Sequence, residues 1–364
     1  MSGSTTAATG TTPGIVAPQV RDLDQLSVLL VAWLATQMPE AANIRVSNLR
    51  YPLGAGLSHE TILFDAFWSE GTGEKGRGLV VRIKPTRLQV YQDDMFDQQY
   101  RLMLEMHERS QVRVARPLWL EKDPELLGAP FFVMEQVAGR VAISYPPYSQ
   151  QGWLVDTAPA DRRCMWTDAV SQLAAIQNVP VAHASFLNLP GDFAEGFDQE
   201  VDRWRRYLDW VDPDGTLTLL RDGFERLLAL RPRNRPEGIV WGDARLGNMM
   251  IGDDFSVVAV MDWEQPSLGG ALHDLGWWLC SDRAQTEWRG LPALEGMGTR
   301  EETIALWSEV CGKSAADISW YEAFAMFKME CLGVRMTTIR EMPAQTAALE
   351  PGSHVARFLT QVEE

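Results

Sequence analysis

The sequence predicts an α+β fold with two lobes, a smaller β-rich N-terminal lobe and a larger, mainly helical C-terminal lobe. Strand-like segments cluster in the first part of the chain, and helical patterns dominate after Val141. A chain of 364 residues with 46% hydrophobic residues is also long enough for two cores. We therefore place an N-terminal lobe at residues 15–137 and a C-terminal lobe at residues 138–364.

The N-terminal residues, the hydropathy and the charge of the chain exclude several classes of protein. Residues 1–14 are rich in Ser, Thr, Gly and Ala and lack an apolar segment, which predicts a disordered tail and not a signal peptide. The apolar run from Leu26 to Ala35 is too short to span a bilayer, which takes about 20 residues, so we expect a buried helix and no membrane partner. The net charge of −16, without clusters of Lys and Arg, argues against a nucleic-acid partner.

The spacing of the cysteines predicts a reducing compartment. The four cysteines are scattered without the spacing of a metal site, which predicts free thiols and a cytoplasmic location.

The N-terminal lobe begins with a predicted helix over residues 22–37. Strands at residues 44–51 and 60–68 then flank the glycine-rich turn from Gly54 to His59, whose backbone N–H groups suit a phosphate. A loop at residues 71–78 precedes a strand in which Arg82 and Lys84 share one face, as the period of two requires. A helix over residues 93–109 and a strand over residues 130–139 complete this lobe.

The C-terminal lobe is predicted to be mainly helical. A loop is predicted at residues 145–159, and helices are predicted at residues 160–177, 199–210, 223–230, 274–280, 300–311 and 320–340. In the last helix the apolar residues from Trp320 to Val334 mark one buried face. Most of the 14 tryptophans fall in this lobe, where they predict a core and the lining of a groove.

Two carboxylates and an amide stand in an order that suits phosphoryl transfer. Asp243 and Asn248 are five positions apart in one loop, and two short strands joined by a turn separate Asn248 from Asp262. Antiparallel pairing of these strands brings Asn248 and Asp262 together. Two oxygen ligands at one end of a hairpin suit Mg²⁺, which takes its remaining ligands from water and phosphate.

The stretch from Val240 to Leu279 resembles the catalytic core of the aminoglycoside phosphotransferase and choline kinase family, which has a protein-kinase-like fold. The resemblance implies Asp243 as catalytic base, Asn248 and Asp262 as magnesium ligands, and Asp274 as a brace of the catalytic loop. It leaves Glu264 either near the metal or facing the substrate.

The N-terminal lobe carries a weaker resemblance. Gly56, Ser58 and Thr61 match the phosphate-binding loop of the family, with His59 where relatives have Asn. Arg82 stands where many relatives have the lysine that binds ATP, and Arg can also bind phosphate.

Two further positions complete that comparison. Gln99 replaces the glutamate expected to pair with the basic residue of the strand. Backbone groups from Glu135 to Val137 match the hinge that hydrogen-bonds adenine.

These features predict a kinase that uses ATP and Mg²⁺ to phosphorylate a hydroxyl of a small molecule. The acidic chain is compatible with a cationic acceptor, for which Asp282, Glu322 and Glu330 are candidate contacts, although each also fits a salt-bridged helix face. The segment from Tyr321 to Arg335 resembles a branch attached to acyl-CoA dehydrogenases, so a hydroxyacyl acceptor is an alternative.

Two other classes stay open. A nucleotide-binding pseudokinase is suggested by Gln99 and by Trp241, which replaces a histidine usual in relatives. A protein kinase is disfavoured, because the twelve positions from Asp262 to Asp274 are too few for an ordinary activation loop.

Overall fold

A computed structural model describes residues 21–52, 59–71, 73–86, 89–191, 193–339 and 362. The chain divides into two compact units. The first contains the described residues of Met1–Gln89 and Trp119–Gln136, and the second those of Val90–Leu118 and Val137–Glu364. The predicted tail at residues 1–14 lies outside the described residues. Among those described, no helix has the length and hydropathy needed to cross a membrane.

The first unit combines one helix with a five-stranded sheet. Its elements are α1 (Leu23–Gln37), β1 (Ala42–Arg50), β2 (Glu60–Glu70), β3 (Gly73–Ile83), β4 (Pro117–Glu121) and β5 (Phe131–Glu135). The strand order is β1-β2-β3-β5-β4, and β1, β2, β3 and β5 pair antiparallel in turn. Burial alternates along β2, so one face of the sheet forms the core.

The helix α1 is stabilised by an N-terminal cap and by the packing of its buried face. Asp22 caps the N-terminus by accepting from the backbone N–H groups of Asp24 and Gln25. Leu30 is fully buried, and the indole of Trp33 donates to Glu121 at 3.0 Å. The predicted buried helix is thus confirmed.

The predicted loop at residues 71–78 is wrong. β2 and β3 stay paired without interruption from Glu60 opposite Ile83 to Glu70 opposite Gly73. The backbone hydrogen bonds of this long hairpin outweigh the weak strand preference of its glycines, and the exposed end needs no core to pair.

The second unit is mainly helical. Its helices are α2 (Phe96–Arg109), α3 (Trp153–Asp156), α4 (Pro159–Ala175), α5 (Gly196–Val211), α6 (Thr218–Ala229), α7 (Leu272–Gln285), α8 (Arg300–Cys311) and α9 (Ile318–Ile339). Short strands β6 (Arg140–Val141), β7 (Met249–Ile251) and β8 (Val257–Val260) form an antiparallel sheet. The short α3 interrupts the loop predicted at residues 145–159.

The helix α2 differs from the prediction in its position. We assigned it to the N-terminal lobe, but it belongs to the second unit. Its Arg101 lies 4.0 Å from the ring centre of Phe186, and the segment after it hydrogen-bonds to β8 through Arg113 O and Val260 N at 2.7 Å. Sequence spacing did not reveal these contacts, because their partners lie far along the chain.

Aromatic residues form the core between α7 and α9. Trp320 and Phe324 stack with ring centres 5.0 Å apart, and Phe327 continues the row. The buried face predicted for the last helix is confirmed by Trp320, Phe324, Phe327 and Cys331. The four cysteines are free thiols.

Candidate active site

The catalytic loop is shaped by a glycine. Val240 forms an isolated bridge with Ser267, and the chain then turns at Gly242, whose φ is +107°. A Cβ on Gly242 would lie 2.6 Å from the carbonyl oxygen of Gln265. Only glycine satisfies both the backbone conformation and this close approach.

Asp243 follows this turn, and three side chains hold its carboxylate. Trp277 of α7 donates to Oδ1 at 3.0 Å. Arg245 and Asn248 donate to Oδ2 at 2.9 and 2.6 Å. These donors fix the orientation of a carboxylate that would otherwise rotate, which suits a group that must orient a substrate hydroxyl.

The short hairpin β7-β8 brings the loop of Asn248 to the start of the loop of Asp262. Met249 pairs with Val260, and Met261 N donates to Asn248 O at 2.8 Å. The predicted hairpin is therefore confirmed. Asp262 adopts φ +62°, a conformation that is unusual for residues other than glycine and recurs at functional sites.

The donor set fits magnesium. The Nδ2 group of Asn248 donates to the carbonyl oxygen and to Oδ2 of Asp243, at 3.0 and 2.6 Å. Both amide hydrogens are thereby used, so the opposite atom, Oδ1, is the one left for a cation. One amide oxygen and the carboxylate of Asp262 form a hard-oxygen pair of the kind Mg²⁺ takes with phosphate and water.

Asp274 braces the loop from α7, as the resemblance implied. Its carboxylate accepts from the backbone N–H groups of Trp241 at 2.6 Å and Gly242 at 2.9 Å. Burial raises the pKa of Asp274 to about 6, although these N–H groups and Lys328 act in the opposite direction.

Trp241 has a structural role. Its ring is fully buried against Trp263, and its indole N–H donates to Met261 O at 2.8 Å. The residue thus ties the catalytic loop to the residue that precedes Asp262, and the substitution of the usual histidine leaves the loop geometry intact.

Three residues near Asp243 were not predicted as site residues. Arg245 bridges Asp243 and the hydroxyl of Ser144, at 2.7 Å from the latter. Burial lowers the pKa of Arg245, but the carboxylates of Asp243 and Asp262 outweigh burial and raise it. Tyr91 has its pKa raised well above the usual value by burial and then by Glu264, Asp243 and Asp262. Trp277 is the third.

The sequence held a signal for only one of these three. Arg245 lies two positions after Asp243 in the motif, so its proximity could have been predicted.

The residues predicted to bind nucleotide lie apart in the sequence. Gly56 and Ser58 fall outside the described residues. Arg82 Nη2, in β3, lies 3.2 Å from His59 Nδ1, and the backbone N–H of Lys84, directly after β3, donates to Pro130 O at 2.9 Å. Their contact with phosphate stays a prediction.

The predicted hinge follows β5. Glu135 pairs with Arg77 at 2.9 Å, and the second unit begins at Val137. The adenine contact of these backbone groups stays a prediction. On α2, Gln99 is fully buried, and its side-chain amide makes no hydrogen bond with any described residue.

The acidic candidates for a cationic acceptor already have partners or a raised pKa. Glu322 is buried and receives two hydrogen bonds from Arg300, at 3.0 and 2.5 Å. Asp282 accepts from Tyr148 at 2.6 Å. Burial raises the pKa of Glu330 to about 7.

A small cavity of about 10 Å³, the space of roughly one water molecule, lies beside the catalytic loop and is partly open to solvent. We name it the Lys328 pocket. It is lined by Tyr91, Glu200, Arg203, Trp204, Gly242, Gln265, Trp277, Lys328 and Leu332. Burial raises the pKa of Glu200, but Lys328, His273, Arg203 and the Ser267 hydroxyl together outweigh burial, so that the pKa falls to about 2. Burial lowers the pKa of Lys328, while Glu200 raises it.

The fold and the loop geometry define an enzyme with a protein-kinase-like fold. Residues 52–310 match the family described as "Phosphotransferase enzyme family". This match covers more than half of the chain, so the chain belongs to that family.

Solved structures confirm the two-lobed α+β fold. A protein of Ralstonia eutropha JMP134, described as an aminoglycoside phosphotransferase, is 22% identical with a TM-score of 0.64; the match covers 92% of this chain and 96% of that one. The choline kinase LicA of Streptococcus pneumoniae is 11% identical with a TM-score of 0.53; its match covers 93% and 99% of the two chains.

Curated relatives fit the predicted branch. "Probable acyl-CoA dehydrogenase IBR3" of Arabidopsis thaliana is 26% identical over 297 residues, covering 76% of this chain and 34% of that protein. Human "Acyl-CoA dehydrogenase family member 11" is 25% identical over 236 residues, covering 59% and 28%. The chain thus spans about a third of the length of these relatives. The predicted class of enzyme, a phosphotransferase, is confirmed by family membership.

Proposed function

We propose that this enzyme transfers the γ-phosphoryl group of ATP to a hydroxyl of a small molecule, with Asp243 as catalytic base. The observation that carries the proposal is the carboxylate of Asp243, fixed by Trp277, Arg245 and Asn248. A carboxylate held in one orientation can accept a hydrogen bond from the acceptor hydroxyl and take its proton as the new P–O bond forms. The bond between the γ-phosphorus and the bridging oxygen breaks, and ADP leaves.

Asn248 Oδ1 and Asp262 would hold Mg²⁺. When bound, the ion neutralises negative charge on the transferring phosphate groups. The use of the Asn248 amide hydrogens by Asp243 supports this role, because it turns the amide oxygen toward the position that a cation needs.

The nucleotide contacts are proposals of the same kind. Arg82 and Lys84 would donate to phosphate oxygens, with Gly56 and Ser58 supplying the phosphate-binding turn. Backbone groups at Glu135 and Val137 would hydrogen-bond adenine.

For the acceptor, the hydroxyacyl class is favoured over an aminoglycoside by one observation. The curated relatives that match this chain are named acyl-CoA dehydrogenases, and the match covers only part of each. A kinase domain joined to an acyl-CoA dehydrogenase suggests a hydroxylated acyl substrate. We also propose a cytoplasmic location, which the four free thiols support.

Acceptor-stimulated release of ADP tests the proposal. Purified protein is assayed with ATP and Mg²⁺ against aminoglycosides, amino alcohols, sugars and hydroxyacyl thioesters. At least one acceptor should stimulate release, and Asp243→Asn should lower it roughly a thousandfold while nucleotide affinity changes little. Asp262→Ala should instead lose the magnesium dependence of nucleotide binding.

Two results would contradict the assignment. Equal activity of Asp243→Asn and wild type would remove Asp243 as the base. Nucleotide binding without turnover on any acceptor would favour a pseudokinase, and phosphate on a protein and on none of the small molecules would favour a protein kinase.

A further inference from the structure

The Lys328 pocket shares residues with the catalytic loop. Gly242 immediately precedes Asp243, and Trp277 both lines the pocket and donates to Asp243 Oδ1. A small polar group in this pocket, such as one oxygen-bearing end of a bound acceptor, would therefore lie next to the group that accepts the hydroxyl proton. The apolar side chains of the lining are Trp204, Trp277 and Leu332.

A buried ammonium group forms part of the wall. The side chains of Lys328 and Glu200 are 2% and 3% exposed, and the Lys328 Nζ lies 3.6 Å from Glu200 Oε1. That distance exceeds a good hydrogen bond, so the ammonium retains donors for another partner. The rings of Trp277, Trp204 and Phe324 lie 5.3, 5.5 and 5.6 Å from Nζ and stabilise the positive charge.

Arg203 adds a second set of donors. Its Nη1 donates to Pro266 O at 3.1 Å, and its Nε lies 3.2 Å from Asp93 Oδ2. Its Nη2 is buried and makes no hydrogen bond with the described part of the chain. Arg203 as a whole is 5% exposed and lines the pocket.

One acceptor atom completes the lining. Glu200 Oε1 accepts from the indole of Trp204 at 2.9 Å. The buried Oε2 makes no hydrogen bond of ordinary length and angle with the described residues, and the Ser267 hydroxyl lies close enough to lower the pKa of this carboxyl. Donors with spare capacity, on Lys328 and Arg203, thus outnumber the single spare acceptor. Buried polar groups without partners are costly, so a site that keeps them is suited to a ligand that supplies the partners.

We propose that Lys328 and Arg203 bind an oxygen-bearing group of the phosphoryl acceptor, a carbonyl or a carboxylate, and so position its nearby hydroxyl at Asp243. This inference rests on the proposed function for the role of the hydroxyl. The ammonium of Lys328 repels a cationic group at this subsite, so an amino group here is selected against. Specificity for the acceptor therefore depends on Lys328 of α9, which lies outside the catalytic motif.

A matched set of small probes tests the binding step without turnover. β-Hydroxybutyrate, β-hydroxybutyramide and the corresponding amino alcohol share one carbon chain and one hydroxyl. They differ in carrying a carboxylate, a neutral carbonyl or an ammonium group. Saturation-transfer NMR on the full chain, without ATP, ranks their binding. We expect the carboxylate or the amide to bind at least about tenfold more tightly than the amino alcohol.

Variants of the ion pair provide the control. Lys328→Met leaves Glu200 buried without its cation, so it is paired with the charge-balanced double variant Lys328→Met/Glu200→Gln, and thermal unfolding identifies a folded form. In a folded variant the binding of the oxygen-bearing probes should weaken about tenfold, while the amino alcohol should not weaken. Asp253→Ala, in the exposed turn between β7 and β8, should retain binding of both oxygen-bearing probes.

Distinct outcomes separate this proposal from the kinase assignment. Tighter binding of the amino alcohol, unchanged binding in a folded Lys328 variant, or no binding of any probe would overturn the role of Lys328. Lys328-dependent binding without ADP release on any acceptor would overturn the proposed kinase function and leave the subsite in place.

Discussion

The catalytic loop and the Lys328 pocket differ in how their charged side chains are paired. In the loop, the carboxylates of Asp243 and Asp274 are each held by N–H donors of nearby residues. In the pocket, Glu200 and Arg203 keep atoms without a partner among the described residues. Hydrogen bonds within the protein fix the geometry of the carboxylates, which every turnover needs. Polar atoms without a protein partner are instead available to bind a ligand. The two regions therefore separate the shared chemistry from the choice of acceptor.

Loss of the Asp274 brace should have the largest effect on stability. Asp274→Ala leaves the buried N–H of Trp241 and the partly buried N–H of Gly242 unpaired, and a buried unpaired donor costs about 1–3 kcal/mol. We expect the free energy of unfolding to fall by about 4 kcal/mol in urea titrations. Asp253→Ala, in the exposed turn of the adjacent hairpin, should change it by less than about 0.5 kcal/mol. A similarly small effect for Asp274→Ala would mean that the loop holds its shape without the brace.

The ion pair of Lys328 and Glu200 should make the stability of the protein depend on pH. Lys328, with His273, Arg203 and Ser267, outweighs burial and holds the pKa of Glu200 at about 2, against 4.5 for the free side chain. Ionised Glu200 therefore stabilises the fold above about pH 4.5, and the contribution is lost as the pH falls toward 2. Glu200→Gln should be about 3 kcal/mol less stable than wild type at pH 6, with the difference shrinking in acid.

Glu330→Gln gives the control of opposite sign for that experiment. Burial raises the pKa of Glu330 to about 7, so its contribution to stability falls as the pH rises from 4.5 through 7. This variant should gain stability relative to wild type over that range. A pH-independent difference for Glu200→Gln would show that Lys328 does not stabilise the ionised carboxylate.

Trp277 belongs to both regions, and its variant should have the smallest effect. Trp277→Phe keeps an aromatic wall but removes the N–H that holds Asp243 Oδ1. We expect kcat to fall about tenfold with nucleotide affinity unchanged. Trp278→Phe makes the same chemical change in an indole that does not donate to Asp243, and should leave kcat near wild type. Equal kcat values for the two variants would show that the Trp277 hydrogen bond does not position the base.

The sequence predicted the catalytic loop well because its parts are close along the chain. Asn248 and Asp262 flank two short strands with a clear turn, so antiparallel pairing alone brings their loops together. The brace by Asp274 followed from the resemblance. The strands and the helical lobe were predictable from periodicity. The glycines of β3 led to the wrong prediction of a loop at residues 71–78, because pairing with β2 stabilises a strand there in spite of its composition.

The pocket was not predictable in the same way. Lys328 lies four positions after Phe324, within the apolar face of the last helix, and a lysine there was a signal of a buried charge. Its partner Glu200 lies on a distant helix, and nothing in the sequence pairs the two. The bond from Trp277 to Asp243 spans 34 positions, and the adjacent Trp278 left the choice between the two indoles open.

Met261 has a consequence for motion. Its N–H donates to Asn248 O, and its carbonyl accepts from the indole of Trp241, so one peptide segment joins the loop of Asp243 and Asn248 to the loop of Asp262. The two loops therefore cannot open independently without breaking one of these bonds. Exchange of the Met261 amide hydrogen with solvent should be slow and should accelerate together with that of Gly242, because the loops of Asp243 and Asp262 belong to one cooperative unit.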